Sequence, residues 1–351
     1  MPCEVPAAAN DTLDNQPLPT GSILFQSNDS SVVLLDVPRS LEESQVLPGH
    51  QLERRILSNA PPTRPFATPE PKDGWPQQPH AAQLAELMTA ARARDALHQL
   101  AKTYTGPFHL DRIMTRQSPR LDAHQALAQV YPRLFIPAKA KYIQGSVQET
   151  RGVLLDTAPR FKLIVIDPPW PNRSARRRRD KYATVHDLTE MRDLLLKIPV
   201  NTLLAADGLV AVWITNKHDI PSLLTSDDGV FAAWGLELVI EWTWLKITST
   251  GHPLLDLDSL WRKPWERLFI AKRRSFSTPS LLKSKIIMAV PDEHSRKPNL
   301  RAMFHDVLGT EYQGLEVFAR NLTAGWWSWG SEVLRFQHAH YWLPISHREV
   351  E

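Results

Sequence analysis

The clearest hydrophobic pattern lies in the second half of the chain, where short apolar runs alternate with segments of helical spacing. Residues 161–166 form a nearly continuous apolar run ending at Asp167, which predicts a strand buried on both faces of a parallel sheet. Asp187 and Glu190 form a capping box that opens a predicted helix over residues 188–198. Further strands are predicted at 209–215, 237–247, 268–272, 286–290 and 315–318, with a helix near 219–224. This alternation predicts an α/β sheet with helical crossovers.

The first half of the chain carries weaker patterns. Two short β-like runs at 22–25 and 31–37 predict a hairpin that packs on the main body. Residues 61–79 contain too many prolines for a regular helix or a central strand and are interpreted as a linker. Helical spacing follows at 80–104 and again near 122–130. We therefore divide the chain into an acidic, proline-rich accessory segment (1–80), a helical region (81–140) and a main domain (141–345).

The composition is globular, with 42% hydrophobic and 23% charged residues. The formal net charge of +3 hides an uneven distribution, because residues 1–80 carry 5 Lys and Arg against 10 Asp and Glu. Residues 81–351 carry 36 against 28, a net charge of +8 that favours a polyanionic partner. No apolar run approaches the ~20 residues that span a bilayer. The start of the chain lacks a leader pattern, so we expect a soluble intracellular protein with no membrane partner.

Several kinds of chemistry are disfavoured by the residues present. The single cysteine, Cys3, excludes an intramolecular disulfide and a cysteine-based zinc site, and favours a reducing compartment. The 13 histidines show no H-x-x-x-H spacing on a predicted helix, so we expect no metal site. The chain contains no G-x-S-x-G elbow of the hydrolase type, and no G-x-G-x-x-G follows a predicted strand.

The strongest chemical signal follows the first buried strand, because ligands bind at the carboxyl ends of strands in open α/β sheets. The tetrapeptide there is Asp167, Pro168, Pro169 and Trp170. The two prolines remove amide donors and leave carbonyl oxygens as acceptors beside one carboxylate and one aromatic face. This set suits a planar ring that bears an amino group, with the aromatic stacked on the ring and the two kinds of oxygen accepting its N–H groups. A strand-terminating turn with a buried tryptophan is the alternative interpretation.

The whole tetrapeptide directly after a buried strand resembles the catalytic signature of amino methyltransferases. Other motifs follow in order: Tyr182-Ala183-Thr184, Trp244-Leu245-Lys246, Gly251-His252, Lys263-Pro264-Trp265-Glu266, His294 to Pro298, Leu315 to Arg320, Gly325-Trp326 and Trp329 to Glu332. Together they resemble the MT-A family of adenine methyltransferases, and most of all its branch named methyltransferase-like protein four, over residues 143–337. The resemblance implies a Rossmann-like class I S-adenosylmethionine-dependent methyltransferase sheet in residues 141–345, with an N-terminal accessory region.

The resemblance also implies a role for each matched residue. The catalytic tetrapeptide would be Asp167, Pro168, Pro169 and Trp170. The cofactor, S-adenosyl-L-methionine, would be held by Asp167, Ser146, Val147, Lys297, Arg320, Asn321, Ser331 and Glu332. Lys297 would reach the carboxylate of the cofactor's methionine part. The substrate would contact Trp170, Tyr182, Lys263, His294 and Arg296.

A strongly basic segment comes immediately after the tetrapeptide. Residues 171–181 contain six basic side chains and one acidic one. The basic side chains are Arg173, Arg176, Arg177, Arg178, Arg179 and Lys181. Their position favours contact with the phosphates that flank a target base, which supplies affinity without reading sequence. A solvated loop and a nuclear-import signal are the alternative interpretations.

These observations predict a methyltransferase that acts on the exocyclic N6 amine of adenine in nucleic acid. RNA is favoured over DNA, and the resembled branch implies small nuclear RNA and 2′-O-methyladenosine as the target. The alternatives are an inactive methyltransferase-fold partner that binds nucleic acid, a DNA adenine methyltransferase, and an enzyme for protein or small-molecule amines. We expect a monomer in the nucleus, with a heterodimer and an additional cytoplasmic location as alternatives.

Overall fold

The computed structural model describes residues 21–68, 78–114, 133–171, 185–259 and 262–345. Its strands are β1 (Ile23–Gln26), β2 (Val32–Leu35), β3 (Arg54–Ser58), β4 (Ile113–Met114), β5 (Lys141–Gln144), β6 (Phe161–Ile166), β7 (Leu204–Ile214), β8 (Leu236–Lys246), β9 (Trp265–Arg273), β10 (Lys285–Ala289), β11 (Gly314–Val317), β12 (Trp327–Gly330) and β13 (Trp342–Pro344). Its helices are α1 (Val37–Ser44), α2 (His80–Thr103), α3 (Val147–Thr157), α4 (Leu188–Leu196), α5 (Val200–Leu203), α6 (Asp219–Thr225), α7 (Val230–Ala233) and α8 (His305–Leu308). Short 3₁₀ turns lie at Ala302–Phe304, Arg335–Gln337 and Ala339–Tyr341. Within the described ranges, no helix combines the length and the apolar character that crossing a membrane requires.

One large mixed sheet organises the molecule. Its strand order is β1-β2-β10-β8-β9-β7-β6-β11-β12-β5. Eight of these strands point in one direction, while β9 lies antiparallel between β8 and β7 and β1 is antiparallel at one edge. The predicted α/β class, with a mostly parallel Rossmann-like sheet, is confirmed. A second, small sheet joins β13, β3 and β4.

The centre of the large sheet is buried on both faces, as the continuous apolar run at 161–166 predicts. Side chains alternate along β6, so that Ile164 and Ile166 pack into one core while Leu163 and Val165 pack into the other. Helices α3, α4, α6 and α7 contribute to the first core. The second core contains Val37 of α1 and side chains from β3 and β13. The accessory segment therefore closes one face of the sheet.

Most of the elements predicted in the second half of the chain are present. The predicted helix at 188–198 is α4, and Asp187 caps it by accepting a hydrogen bond from the Glu190 backbone N–H at 2.9 Å. The predicted helix at 80–104 is α2. The helical piece expected near 122–130 lies outside the described residues.

Three elements near the site were missed by the hydrophobic pattern. The edge strand β5 is mostly exposed and reads as polar, while β12 is a short run of tryptophan, serine and glycine. The helix α3 carries only two buried side chains, Val147 and Leu154. Because an edge strand and a half-exposed helix bury little surface, the sequences of β5 and α3 carry little periodic signal. Strand β12 is buried but only four residues long, which is too short for a clear pattern.

The accessory segment joins the main body at several places. Strands β1 and β2 form an antiparallel pair, and β2 extends the large sheet by pairing in parallel with β10. Within the proline-rich stretch, the Phe66 backbone N–H donates to the Leu254 carbonyl at 2.8 Å. The Ser249 N–H donates to the carbonyl of Pro62, also at 2.8 Å. The described part of this stretch is thus held against the main body, while the domain boundaries at 80 and 140 stay a prediction.

A close approach at the start of β11 gives a test of this packing. A Cβ added at Gly314 would fall on the Trp326 indole, so we expect Gly314→Ala to lower the free energy of unfolding by ~1–3 kcal/mol. At Gly152, on the exposed face of α3, a Cβ would meet no atom within 4 Å. Gly152→Ala should instead raise stability by ~0.5–1 kcal/mol through helix propensity. Chemical denaturation of both variants measures these values, and equal effects of the same sign would contradict the packing.

Candidate active site

The ends of several strands bring the candidate residues to one edge of the sheet. Asp167 follows β6, Arg320 lies shortly after β11, and Ser331 follows β12. Because these strands are parallel, their carboxyl ends meet at the same edge. Strand β9 runs the other way, so its first residues, including Glu266, also lie at this edge.

The Asp167 carboxylate lies between two cations. The Lys297 Nζ is 3.2 Å from one carboxylate oxygen, and the Arg320 Nη1 is 3.6 Å from the other. The Asp167 backbone N–H donates to the Val317 carbonyl at 3.3 Å, which continues the pairing of β6 with β11. The side chain is 14% exposed. Both oxygens thus have fixed directions, and the carboxylate still faces a route from solvent.

The charges extend beyond Asp167 into a chain of alternating sign. Lys297 also contacts Glu266 at 2.8 Å, and the second oxygen of Glu266 pairs with Lys246 at 2.6 Å. Burial alone would raise the pKa of Glu266, but Lys297 and Lys246 outweigh it and lower that pKa to about 2. Burial lowers the pKa of Lys297, but Asp167 and Glu266 outweigh it and hold that pKa above its ordinary value. Both groups therefore stay ionised near neutral pH.

Glu266 and Lys246 are site residues that the sequence reasoning missed. Both lay inside quoted motifs, but neither received a role. A usable signal was present, because Trp244-Leu245-Lys246 ends one predicted strand and Glu266 precedes the next. Opposite charges at the facing ends of an antiparallel pair are placed to meet.

Arg320 is fixed on its other side by an acidic partner. Its Nε lies 3.2 Å from the Glu332 carboxylate, and Arg335 lies 3.1 Å from the same oxygen. The backbone turns sharply before Arg320, where Phe318 has a φ of 58°, a left-handed conformation that is uncommon for a bulky residue. The Ala319 N–H then donates to the Trp329 carbonyl at 3.1 Å. The turn thereby directs Arg320 back toward Asp167.

Two residues predicted to hold the cofactor have structural roles at the start of α3. Ser146 is the N-cap, since its hydroxyl oxygen accepts a hydrogen bond from the Glu149 N–H at 3.3 Å and its O–H donates to the Glu149 carboxylate at 2.7 Å. Val147 is buried in the core. The Ser146 side chain is therefore engaged in capping α3, and the Val147 side chain is engaged in core packing. The N-terminus of α3 nevertheless follows β5, so both residues lie at the candidate edge.

Trp170 has a structural role in addition to the one predicted for it. Its ring is only 9% exposed and packs in the core, and its Nε1–H donates to the Trp213 carbonyl at 2.7 Å. Its backbone N–H donates to the Pro168 carbonyl at 2.8 Å, so one proline carbonyl is used within the turn. In this arrangement, Trp170 anchors the tetrapeptide under the sheet edge, and its stacking on a base stays a prediction. Pro169, which is half-buried, supplies the other proline carbonyl.

Two of the predicted substrate residues are held elsewhere by ion pairs. Arg296 has a fully buried side chain that pairs with Asp292 at 2.8 Å, and its predicted contact with substrate stays a prediction. Lys263 pairs with Glu86 of α2 at 3.0 Å, and the Lys263 side chain is 6% exposed. This ion pair links α2 to the loop before β9. His294 lies in the same connection as Lys297, with its Nδ1 2.9 Å from the Ser295 hydroxyl.

The basic segment and its neighbour cannot be placed relative to the tetrapeptide. The residues concerned, Arg173, Arg176, Arg177, Arg178, Arg179, Lys181 and Tyr182, lie outside the described residues. Ser331 is exposed directly after β12, next to Glu332. Among the described residues, no group of three or more His, Cys, Asp or Glu side chains could hold a metal ion.

A small polar cavity, with room for about one water molecule, lies beside Asp167 at the candidate edge. Asp167, Glu316, Lys297 and Asn321 line it. The Nδ2 of Asn321 is buried and has no hydrogen-bond partner among the described residues. Buried polar atoms without a partner are rare, so this amide is suited to donate to a bound group. The residues present therefore fit the amino-acid or ribose oxygens of S-adenosylmethionine, with Asn321 as donor and Lys297 as counter-charge.

The Glu316 carboxyl gives this edge a dependence on pH. Burial, with a contribution from Asp167, raises the pKa of Glu316 to about 7 from the ordinary 4.5. A raised carboxyl pKa means that stability falls as pH rises from the unfolded value through the folded one. We expect Glu316→Gln to abolish this loss, so that from about pH 5 to pH 8 the variant gains at most ~3 kcal/mol relative to wild type. Unfolding measured across that range, with exposed Glu311→Gln as control, tests it; a pH-independent difference would contradict it.

Comparison with known proteins agrees with this geometry. Residues 161–332 match the family model MT-A70. The chain is 49% identical over 330 residues to "N6-methyladenosine RNA methyltransferase MTA1" of Cryphonectria parasitica, which covers 92% of this chain and 94% of the relative. It is 42% identical over 364 residues to the protein of the same name from Pyricularia oryzae, covering 92% and 97%. It is 36% identical over 225 residues to "N(6)-adenine-specific methyltransferase METTL4" of Mus musculus, covering 61% and 46%.

These similarities confirm the resemblance that the motifs indicated. The matched region begins with β6 and ends at Glu332, so it contains Asp167, Glu266, Lys297 and Arg320. The two similarities that cover 92% of this chain also include most of residues 1–80. With a relative of nearly equal length at 49% identity, the chain belongs to the MT-A70 family.

Proposed function

We propose that this protein is an adenine N6-methyltransferase that uses S-adenosylmethionine to methylate adenosine in RNA. The observation that carries the proposal is the Asp167 carboxylate at the end of β6, held from both sides by Lys297 and Arg320. Carboxylates in such a position are acceptors for the N–H groups of an exocyclic amine. Family membership supports the reaction type and the methyl donor. The Asn321 amide, which has no hydrogen-bond partner among the described residues, is available to donate to a polar group of that cofactor.

The chemistry requires orientation more than activation. Bound S-adenosylmethionine supplies a methyl group on a sulfonium, and the adenine N6 forms a bond to that carbon as the carbon–sulfur bond breaks. Asp167 and the Pro169 carbonyl would accept the two N–H groups, which directs the nitrogen lone pair toward the methyl group. Holding the two reactants in line can supply ~7–11 kcal/mol of the barrier reduction. The carboxylate also stabilises the positive charge that develops on nitrogen before the proton leaves.

The ion pairs explain why Asp167 can hold one orientation. Lys297 and Arg320 contact different oxygens of the carboxylate, and each cation is itself fixed by an acidic partner, Glu266 or Glu332. A rotation of the carboxylate would lengthen one contact or the other. This geometry favours a catalytically active site. It argues against the alternative of an inactive partner, because an inactive protein would not need the carboxylate held in this orientation.

The choice of RNA is supported by the relatives that match nearly the whole chain. Both carry an RNA methyltransferase name, and their similarity includes the N-terminal region as well as the family domain. A DNA adenine methyltransferase remains the alternative. The finer target implied by the resembled branch, 2′-O-methyladenosine in small nuclear RNA, is kept as a second substrate for the assay.

Three further proposals rest on sequence alone. The basic side chains from Arg173 to Lys181 are proposed to contact phosphates beside the target adenosine, since they directly follow the tetrapeptide. The same run supports a nuclear location as an import signal, with the cytoplasm as an additional location. We propose a monomer, with a heterodimer as the alternative.

The role of the carboxylate is tested by Asp167→Asn, which keeps the shape of the side chain and removes its charge. We expect methyl transfer to fall by ~10²–10³-fold, because a neutral amide oxygen is a weaker acceptor for the N–H group and can neither balance Lys297 and Arg320 nor stabilise the positive charge that develops on nitrogen. The matched control is Asp207→Asn, which removes an exposed aspartate paired with Lys162 at the opposite end of the sheet. Initial rates with a labelled methyl donor, together with melting temperatures, check the result. A fully active and stable Asp167→Asn protein would contradict the role of the Asp167 carboxylate in methyl transfer.

The substrate is tested with three oligonucleotides of one sequence: RNA, RNA with a 2′-O-methylated target adenosine, and DNA. We expect methylation of unmodified RNA at more than ~10 times the rate on DNA, because a 2′-hydroxyl contact distinguishes the two. Mass spectrometry of the digested product identifies N6-methyladenosine. A higher rate on DNA would favour the DNA alternative, and the absence of any product would reject the proposed function.

A further inference from the structure

Lys297 differs from its partners at the site in the kind of element that carries it. Asp167, Glu266 and Arg320 lie at or close to the ends of strands, whereas Lys297 lies in the connection between β10 and the 3₁₀ turn at Ala302–Phe304. A catalytic arrangement has to be held to within about 0.5 Å, and loops hold side chains less well than strands do. Contacts from outside this connection must therefore fix the position of Lys297.

The residue before Lys297 is anchored to the accessory segment. The Nη1 of Arg296 donates to the Leu57 carbonyl of β3 at 2.7 Å and to the Asp292 carboxylate at 2.8 Å. Its guanidinium also lies 4.8 Å from the Phe336 ring and 5.2 Å from the Tyr341 ring. With its side chain fully buried, Arg296 pins the backbone directly next to Lys297.

A second arginine fastens the start of the same connection. Arg112, which precedes β4, donates to the carbonyls of Val290 at 2.9 Å, Pro291 at 3.0 Å and Asn59 at 3.1 Å. The Asp292 carboxylate accepts the Asn59 backbone N–H at 2.9 Å. The end of β10 is thus bonded to residues just after β3 through both backbone and side chain.

The residue on the far side of Lys297 is held by α1. The Asn299 backbone N–H donates to the Ser40 hydroxyl oxygen at 3.1 Å. Arg301 donates to the Glu43 carbonyl at 2.6 Å. The accessory segment therefore holds the connection on both flanks of Lys297, at positions 296 and 299.

The connection is also in a conformation that needs external support. Ser295, one residue before Arg296, has a φ of 76°, which is uncommon for a residue other than glycine. Such conformations are strained and persist only where surrounding contacts fix them. The contacts of Asp292 before this position and of Arg296 after it supply the required constraint.

We propose that the accessory segment, through Ser40 of α1, Leu57 of β3 and the adjoining Arg112, acts as a brace that positions Lys297 against Asp167 and Glu266. Ser40 and Arg112 are then positioning residues for methyl transfer, although neither contacts Asp167. The inference deepens the proposed function and rests on it for its effect on rate. It also gives the accessory segment a catalytic purpose beyond covering one face of the sheet.

The test combines each brace variant with Lys297→Met in the full-length chain. We expect Ser40→Ala and Arg112→Ala to lower the single-turnover rate of methyl transfer roughly 10- to 100-fold, since a misplacement near 1 Å can cost that much. In the Lys297→Met background, the same changes should lower the residual rate less than about twofold, because they act through a side chain that is gone. Arg112→Lys should recover part of the rate. Arg94→Ala, which removes another arginine outside the brace, should leave the rate unchanged.

A measurement that does not depend on activity separates this proposal from the proposed function. Hydrogen–deuterium exchange of residues 292–299 should be faster in Ser40→Ala than in wild type, with exchange in β6 unchanged. If wild type methylates RNA but the brace variants lower the rate equally with and without Lys297, the brace is overturned and the function stands. Unchanged exchange in residues 292–299 would overturn the brace even if no nucleic acid is methylated.

Discussion

The orientation of the Asp167 carboxylate depends on positive side chains from distant parts of the chain. The other charged residues of the site depend on the same set of ion pairs. A partly buried carboxylate without partners is costly, and so is a buried lysine. The charges follow one another in the order Lys246, Glu266, Lys297, Asp167, Arg320 and Glu332, and the four inner ones have an opposite charge on each side. Removing one member would leave a neighbour unbalanced. The arrangement therefore fixes direction as well as charge, which an in-line transfer between two ligands requires.

The mixed topology of the sheet makes this chain of charges geometrically possible. In a purely parallel sheet, only the residues that follow strands reach the ligand edge. The antiparallel strand β9 adds residues that precede a strand, and so Glu266 faces Lys246 at the end of β8. The turn at Phe318 returns Arg320 toward β6 in the same region. The buried strands supply rigidity, because β6 packs into a core on each face.

The accessory segment and the family domain form one working unit in this structure. Strand β2 extends the large sheet, α1 and β3 cover one face, and both elements bond to the connection that carries Lys297. The acidic residues 1–80 and the basic remainder thus differ in their place in the fold. The described part of residues 1–80 packs against the sheet and bonds to the connection that carries Lys297, while the positive excess belongs to residues 81–351, which contain the charge cluster.

Sequence alone determined the features that depend on local patterns. The apolar run at 161–166 gave a central strand, Asp187 gave a helix cap, and the tetrapeptide from Asp167 to Trp170 gave the family and its chemistry. Tertiary structure decided which side chains meet. Lys297 and Asp167 are 130 positions apart, Arg296 pairs with Asp292 in a buried position, and the Trp170 indole donates to the Trp213 carbonyl in the core. The physical reason is that periodicity records burial along a single element, whereas charge partners depend on strand order and on loops packed by distant segments.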